Sequence, residues 1–204
     1  MAPLSAFEQM RETEREIRRD HIIDSAMALF GKKPFHEIGM RDIAAEAEVS
    51  AASIYRYFPS RDDLYVEALL LNIVEVERMF KQRMAENRTS FEEIARATID
   101  YFLENESVFH IVCHFMVNDD ITPSAAKKFE SAQRYFLRAF DAVISKSRSN
   151  EGVRLYSQAF FASLVGIVMT LRNYPDLNKN QITEFMHQLA EITAKTFQNG
   201  LPKN

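Results

Sequence analysis

The 204-residue sequence predicts an all-α protein. Only five glycines and six prolines interrupt the chain, and 47% of its residues are hydrophobic. Helix-favouring residues such as Ala, Leu, Glu and Arg are abundant, and no stretch alternates between apolar and polar residues with the period of a strand. We therefore expect about nine helices joined by short turns, with enough apolar residues for a sizeable core.

Three short helices are predicted at the start of the chain. The apolar stripes of the first two consist of Ile23, Ala26, Met27 and Phe30, and of Met40, Ile43, Ala44 and Ala47. The first helix ends near Gly31 and Pro34, and the second begins after Gly39 and ends at Glu48. Ser50 is a good N-cap for the third.

Longer helices are predicted in the rest of the chain. The tetrads Ser60–Asp63 and Ser90–Glu93 have the pattern of a capping box, which begins a fourth helix reaching about Ala85 and a fifth ending near Asn105. Further helices are expected over Val108–Val117, Pro123–Ser147, Gly152–Asn173 and Gln181–Gln198. The change from short to long helices predicts a head over residues 1–59 and a body over residues 60–204.

Targeting and membrane signals are weak. Charged residues crowd the N-terminus and leave no apolar core for a signal peptide. The longest apolar run, Ala159–Met169, is too short to span a bilayer. The single Cys113 excludes an internal disulfide, and the net charge of −4 argues against indiscriminate binding to nucleic acid or membranes. We expect a soluble, cytoplasmic protein with no membrane partner.

The second and third helices have the pattern of a helix-turn-helix, because a three-residue turn containing the hydrophobic Val49 joins them. Ile54 and Phe58 point inward together at about 100° per residue. The opposite face carries Ala52, Ser53, Tyr55 and Arg56. Its small residue permits close approach, its arginine fits a guanine edge, and its hydroxyls fit phosphate oxygens, as a DNA major groove requires.

Two interpretations of this face are open. Arg41 and Arg61 lie in the first turns of neighbouring helices, where cations are mildly unfavourable, and this placement fits phosphate clamps. Alternatively, Tyr55 and Tyr57 are ordinary half-buried aromatics and Arg56 is a solvated charge. The turn residue, cap, inward pair and outward polar face occur together, which favours DNA binding.

The segment "IGMRDIAAEAEVSAASIYRYFPSRDDL" and the helix before it closely resemble the DNA-binding head of the TetR (tetracycline repressor) family of bacterial transcription regulators. The resemblance covers Ile17 to Leu70 and includes the Ala-x-Val-Ser and Tyr-x-Tyr-Phe motifs. It implies a helix-turn-helix head on a helical ligand-binding and dimerisation body. The positions that correspond to operator contacts are Arg41, Ser50, Ala51, Ala52, Ser53, Tyr55, Arg56, Tyr57 and Arg61.

The sequence departs from the family pattern in the head. Glu48 and Ala52 stand where glycine is frequent, Gly39 stands where Ser or Thr usually caps the second helix, and Arg61 stands where lysine is commoner. A non-glycine residue with positive φ costs about 1 kcal/mol. Glu48 also places an anion near the DNA.

Asp and Glu outnumber Lys and Arg in the head, so DNA binding there requires that the basic side chains share one face of the head. The first helix carries Arg11, Arg15, Arg18 and Arg19. By similarity to basic leading segments in the family, Arg15, Arg18 and Arg19 are expected to reach phosphate or an adjacent minor groove. Alternatively, they belong to a solvated, salt-bridged helix.

The last two helices carry small and apolar residues at helical spacing, and the resemblance implies that they pair with a second subunit as a four-helix bundle. The expected interface consists of Leu155, Ala159, Ala162, Gly166, Ile182, Phe185, Met186 and Leu189. A homodimer presents two heads that read a palindromic operator with half-sites about 34 to 36 Å apart.

The middle helices are rich in large apolar groups. The resemblance implies a pocket for a small, largely apolar or aromatic effector, lined by Phe102, Phe109, Cys113, His114, Phe136, Phe140 and Phe160. Plain core packing of these residues is the alternative.

Metal binding and catalysis are not indicated. The "HIVCH" sequence of His110, Cys113 and His114 lacks the further His or Cys cluster of a zinc site, which favours core packing or a polar contact within the pocket. No phosphate loop or nucleophile elbow is found. We expect no metal, no cofactor and no enzyme activity, and we predict a repressor released from DNA by its effector; the alternative is an all-α ligand carrier or helical enzyme.

Overall fold

A computed structural model, which describes residues 5–30, 32, 35–86, 90–145 and 152–200, confirms an all-α fold. Nine α-helices and no strand lie within these residues. The helices are α1 (Ala6–Phe30), α2 (Met40–Glu46), α3 (Ala51–Tyr55), α4 (Arg61–Ala85), α5 (Phe91–Glu104), α6 (Glu106–Val117), α7 (Pro123–Ile144), α8 (Val153–Leu171) and α9 (Lys179–Gly200). A 3₁₀ turn, Phe35–Glu37, precedes α2.

The capping box predicted for α5 is confirmed, and at the start of α4 Ser60 caps the helix with its side chain. Ser60 Oγ accepts a hydrogen bond from the Asp63 N–H at 3.0 Å, and the Ser60 hydroxyl donates to the Asp63 carboxylate at 2.7 Å. Ser90 and Glu93 each accept a hydrogen bond from the other's backbone N–H at 3.1 Å. These bonds satisfy N–H groups that have no partner within the helix, so local sequence decides where both helices begin.

Three helices begin at a residue other than the predicted one. α6 begins at Glu106, because Asn105 already caps α5 by donating its N–H to the Tyr101 carbonyl at 2.9 Å. α8 begins at Val153, after Gly152 with φ 77°, and ends at Leu171.

The third difference is the start of α9, which begins at Lys179. Asn178 and Gln181 cap it by accepting hydrogen bonds from each other's N–H at 3.0 Å. The predicted ends of the first helix at Gly31 and Pro34, and of the seventh at Ser147, lie outside the described residues.

The chain divides into two compact units. The first, which we call the head unit, comprises Met1–Leu71 and Glu106–Phe129, and the second, the body unit, comprises Asn72–Asn105 and Glu130–Asn204. The head unit therefore includes the beginning of α4 and all of α6, which lie beyond the boundary predicted after residue 59. Where the functional domains separate stays a prediction.

The head unit has an aliphatic core beneath its short helices. α1 packs against α2 and α6, and α2 packs against α3. The side chains that fill this core have at most 1% of their surface exposed and include Ile22, Ile23, Ile43, Ile54, Phe58 and Leu64. The apolar spacing of the first three helices is thereby confirmed as a core stripe.

The body unit is built on α5, α8 and α9. α5 packs mainly against α9, and α8 packs against both. Two polar bridges join α5 to α9: His187 Nε2 lies 2.6 Å from Asp100 Oδ1, and Arg96 Nε lies 2.8 Å from Glu191 Oε1.

Among the described residues one helix, α8, is long and apolar enough to cross a bilayer by length and composition alone. The prediction from the sequence considered only the run Ala159–Met169 and therefore underestimated the apolar length of this helix. In the structure α8 buries Phe160, Leu164 and Val168, as the core helix of a globular unit does. Much of its remaining surface is apolar and exposed.

Candidate nucleic-acid interface and apolar cavity

The turn between α2 and α3 has the geometry of a helix-turn-helix. The Val49 N–H donates to the Ala44 carbonyl at 2.9 Å and closes the end of α2. Glu48, within the turn, has φ 53°, the left-handed conformation that favours glycine. This residue is exposed, so the strain and the negative charge predicted for it lie together at the corner leading into α3.

Ser50 begins α3 as predicted. Its Oγ accepts a hydrogen bond from the Ser53 N–H at 3.1 Å and lies 2.8 Å from the Ser53 hydroxyl. One of these hydroxyls donates to the other, which leaves the pair able to contact an acceptor or donor outside the protein.

α3 separates buried and exposed residues as its spacing predicts. Ile54 and Phe58 are 0% and 1% exposed, whereas Tyr55 is 53% exposed and Ala52 and Arg56 also face solvent. The other predicted contact positions on the helix, Ala51, Ser53 and Tyr57, are half-buried. The outward surface of α3 is therefore small near the start of the helix and polar near its end.

The two flanking arginines differ. Arg41 is exposed. Arg61 is half-buried: its Nη1 donates to the Ile38 carbonyl at 3.3 Å, and its guanidinium lies 5.6 Å from the ring centre of Tyr65. The Tyr65 hydroxyl donates to the same carbonyl at 3.3 Å, and burial raises the pKa of Tyr65 to about 12. Arg61 thus supports the α1–α2 connection, a role that sequence reasoning missed.

An open groove of about 520 Å³ extends the outward surface of α3 along the exposed half of α1. Its lining comprises Glu8, Arg11, Glu12, Glu14, Arg15, Arg18, Arg56 and Tyr57. Arg15 and Glu12 approach to 3.9 Å, but both are more than half exposed, so water screens this pair. Three arginines of α1 therefore lie in the same groove as Arg56, beside three carboxylates.

The sequence of the head unit matches a known family model. Residues 22–68 match the family model described as "Bacterial regulatory proteins, tetR family". These residues therefore form a head like that of TetR-family regulators. The match agrees with the exposed face of α3, because both indicate a DNA-binding helix-turn-helix in the head unit.

The likeness to one curated regulator covers about a third of the chain. The HTH-type transcriptional repressor KstR of Mycolicibacterium smegmatis is 41% identical over 69 residues, which span 34% of this chain and 33% of that protein. The chain thus matches about a third of the relative's length.

Solved TetR-family structures share the whole fold. FadR of Thermus thermophilus, a repressor in complex with lauroyl-CoA, has a TM-score of 0.67 at 15% identity and matches 91% of this chain and 96% of that one. FadR of Bacillus subtilis, in complex with stearoyl-CoA, has a TM-score of 0.67 at 16% identity and matches 85% and 96%. Both likenesses concern the fold.

The body unit holds a small apolar cavity. It is lined by Val76, Met79, Phe80, Thr98, Tyr101, Phe102, Phe136, Phe140 and Phe161. Its volume is about 10 Å³, no more than one water molecule requires. Phenylalanine rings fill the space around it: Phe140 lies 5.7 Å from Phe161 and 6.1 Å from Phe80, centre to centre.

Three of the seven predicted effector contacts, Phe102, Phe136 and Phe140, line this cavity. Phe160 lies behind it, 5.7 Å from Phe140. The other three belong to the head unit and require correction. Phe109 is 2% exposed within that unit's core, and Cys113 lies on the same helix, α6.

His114, the last of the seven, has polar partners within the head unit. Its Nε2 lies 2.8 Å from Asp62 Oδ1, and its Nδ1 lies 3.2 Å from the Asn118 amide. The "HIVCH" sequence thus supplies a polar contact within the head unit, whereas the sequence predicted either core packing or a polar contact within the effector pocket. Among the described residues no group of three or more His, Cys, Asp or Glu side chains is arranged to hold a metal.

The face predicted for dimerisation is largely exposed. On α8, Leu155 is 71% exposed, Ala159 and Ala162 are also exposed, and Gly166 is half-buried. On α9, Phe185 is 37% exposed, and Ile182 and Leu189 are half-buried.

Met186 requires correction, because it is 0% exposed and belongs to the core of its own chain. Met169 and Ile192, at 51% and 60% exposure, were missed. Their signal is a spacing of seven residues, from Ala162 to Met169 and from Phe185 to Ile192, which places each pair on one side of its helix.

Proposed function

We propose that the chain is a homodimeric repressor that binds a palindromic DNA operator and releases it when a small apolar effector binds. The observation that carries this proposal is the outward face of α3, where Arg56 and Tyr55 are exposed above the buried anchors Ile54 and Phe58. A helix anchored on one side and polar on the other is able to enter a major groove without unfolding its own core. Such a regulator acts in the cytoplasm, where it meets DNA.

The exposed residues of α3 are proposed to contact the DNA bases. Arg56 has the planar fork that holds O6 and N7 of guanine, and the small side chains of Ala51 and Ala52 permit contact with a thymine methyl group. Ser50, Ser53, Tyr55 and Tyr57 supply groups for phosphate oxygens, together with Arg41. Arg61 contacts a phosphate only if its guanidinium gives up the hydrogen bond to the Ile38 carbonyl.

The arginines of the groove extend the phosphate contact. Arg11, Arg15 and Arg18 line the same groove as Arg56, so a DNA strand that approaches Arg56 meets them as well. Each phosphate that they neutralise releases counterions and makes binding more sensitive to salt. The carboxylates of Glu8, Glu12 and Glu14 oppose non-specific binding in the same place.

Dimerisation uses the exposed apolar face of α8 and α9. Leu155, Ile192 and Met169 together leave a large apolar surface in water on a single chain, and a surface of this kind marks a protein interface. Two copies related by a two-fold axis present two recognition helices to half-sites about one helical turn apart.

The effector is proposed to carry a flexible apolar chain. The cavity is lined mostly by phenylalanine, but its 10 Å³ admits no ligand until those rings separate. A slender acyl chain requires less separation than a rigid ring system. Two FadR proteins of the same fold are in complex with lauroyl-CoA and stearoyl-CoA, which supports an effector of this kind. Release of DNA then requires that the effector prefer the state in which the rings are apart.

The proposal is tested by Arg56→Ala, with Arg138→Ala, an exposed arginine of α7, as the matched control. A duplex is first selected from a random library by the wild-type chain. We expect Arg56→Ala to weaken binding by about tenfold to a hundredfold and to relax base preference at one position of each half-site. Circular dichroism should show unchanged helix content. Equal affinity and equal base preference for both variants would remove Arg56 from the site.

A further inference from the structure

A cluster of charged side chains joins α1, α4 and α7 in the head unit. Glu67 of α4 accepts hydrogen bonds from Arg19 of α1 at 2.5 Å and from Lys128 of α7 at 2.6 Å. The Glu67 side chain is 21% exposed, and those of Arg19 and Lys128 are 32% and 39% exposed. Partial burial screens these pairs less than pairs on the open surface. Glu67 is therefore held by two cations from two other helices.

Arg19 also contacts the residue that anchors α3. Its guanidinium carbon lies 5.7 Å from the ring centre of Phe58, a cation–π distance. Two residues further along α1, His21 Nε2 lies 3.2 Å from the Ala47 carbonyl at the end of α2. The position of α1 at Arg19 and His21 thus affects both helices of the helix-turn-helix.

Lys128 lies on a helix that also reaches the apolar cavity. α7 is continuous from Pro123 to Ile144, and Phe136 and Phe140 of the cavity follow Lys128 by about two and three turns. Lys128 Nζ also lies 3.9 Å from Asp63, which caps α4 with Ser60. A shift of α7 would therefore loosen the Lys128 bond to Glu67.

We propose that Lys128 and Glu67 are positioning residues for DNA binding. Lys128 holds the Glu67 carboxylate against Arg19, and Arg19 orients α3 through Phe58. Neither Lys128 nor Glu67 lines the groove beside α3 or belongs to the outward face of that helix. The inference rests on the proposed function, because it requires operator binding.

The test compares Lys128→Gln, Lys128→Arg and the control Lys195→Gln, an exposed lysine of α9, on the full chain. Affinity for the selected duplex is measured over a range of salt concentrations. We expect Lys128→Gln to bind about threefold to tenfold more weakly. The slope of log affinity against log salt should be unchanged, because Lys128 does not touch phosphate. Lys128→Arg should restore most of the affinity, and Lys195→Gln should bind as wild type.

A double-mutant cycle then links the two residues. Glu67→Gln and Lys128→Gln act through one bond, so the double variant should bind no more weakly than the weaker single variant. Additive losses, or a salt slope reduced by about one phosphate contact, would overturn the inference. The inference would also be overturned if Lys128→Gln bound the duplex with wild-type affinity. If Lys128→Gln fails to fold, Lys128→Met, which keeps the apolar stem, takes its place under the same criteria. A wild-type chain that selects no duplex refutes the proposed function itself.

Discussion

Glu48 combines backbone strain and negative charge at the corner of the helix-turn-helix. Its φ of 53° costs a residue with a Cβ about 1 to 2 kcal/mol, whereas glycine adopts this conformation freely. Its carboxylate is exposed next to the helix proposed to enter DNA. The sequence comparison with the family predicted the strain, because glycine is usual at this position.

Glu48→Gly should therefore increase both stability and DNA affinity. The relief of strain is partly offset by the greater freedom of glycine in the unfolded chain, so we expect a net gain of about 0.5 kcal/mol in the free energy of unfolding. Affinity for the selected duplex should rise about threefold because an anion near phosphate is removed. Chemical denaturation and a DNA-binding titration measure the two effects.

Asp176→Gly is the matched control for Glu48→Gly. Asp176 has φ 65° in the connection between α8 and α9, and its removal also deletes one negative charge. Aspartate tolerates positive φ better than glutamate, so the stability gain should be smaller, and DNA affinity should not change. An equal rise in DNA affinity for both variants would show that net charge, not position, explains the effect.

Residues whose role depends on distant neighbours were the ones that the sequence predicted poorly. Spacing and capping signals predicted the inward Ile54 and the cap at Ser50, because both depend on residues within one turn. The partner of Arg61 is the carbonyl of Ile38, 23 positions away, which no local pattern indicates. Contacts of that kind follow from tertiary packing.

At the scale of helices, α8 has one face in the core and another in solvent. Phe160, Leu164 and Val168 are at most 1% exposed, whereas Leu155 and Met169 are at least half exposed. The sequence predicted both helical stripes of α8 and α9 but not which stripe packs within the chain. Met186 was misassigned for that reason, since an isolated apolar stripe looks the same whether its partner is its own chain or a second copy.

Gly166→Leu tests the proposed dimer without disturbing the single chain. An added Cβ at this position meets no atom within 4 Å, and glycine weakens a helix interior. We expect the chain to remain folded and the dimer to dissociate about tenfold more readily, because the larger side chain blocks close approach of a second α8. Analytical ultracentrifugation measures the dissociation constant.

Gly200→Leu is the matched control for Gly166→Leu, because an added Cβ there also meets no atom within 4 Å. It lies at the end of α9, outside the proposed interface, and should leave the dimer intact. Equal dissociation constants for both variants and wild type would place the interface elsewhere.

At the scale of the whole molecule, repression and release require two states. The phenylalanine-lined cavity is too small for the proposed effector, so a proposed acyl chain would have to bind a state in which the rings are apart. The sequence predicted three of the residues that line the cavity but also assigned Phe109, Cys113 and His114 to it. It did not reveal that α6 belongs to the head unit, because a helix carries no local signal of the unit in which it packs.

Lauroyl-CoA should raise the unfolding temperature of the protein, whereas coenzyme A alone should not. The acyl chain occupies the apolar site and stabilises the folded state in proportion to its saturation. Phe136→Ala should lower the stability of the free chain by about 3 kcal/mol, because it removes a ring that is 5% exposed. An equal shift with coenzyme A alone, or none with acyl chains of any length, would contradict an apolar-chain effector.

The central claim is that two copies of the outward face of α3 bind one DNA duplex. The most direct measurement is a titration of the chain against a selected palindrome and against a duplex with only one half-site, at increasing salt. We expect two chains per palindrome, much weaker binding to the half-site duplex, and an affinity that falls steeply as the salt concentration rises. Equal binding to both duplexes, or an affinity that does not change with salt, would contradict it.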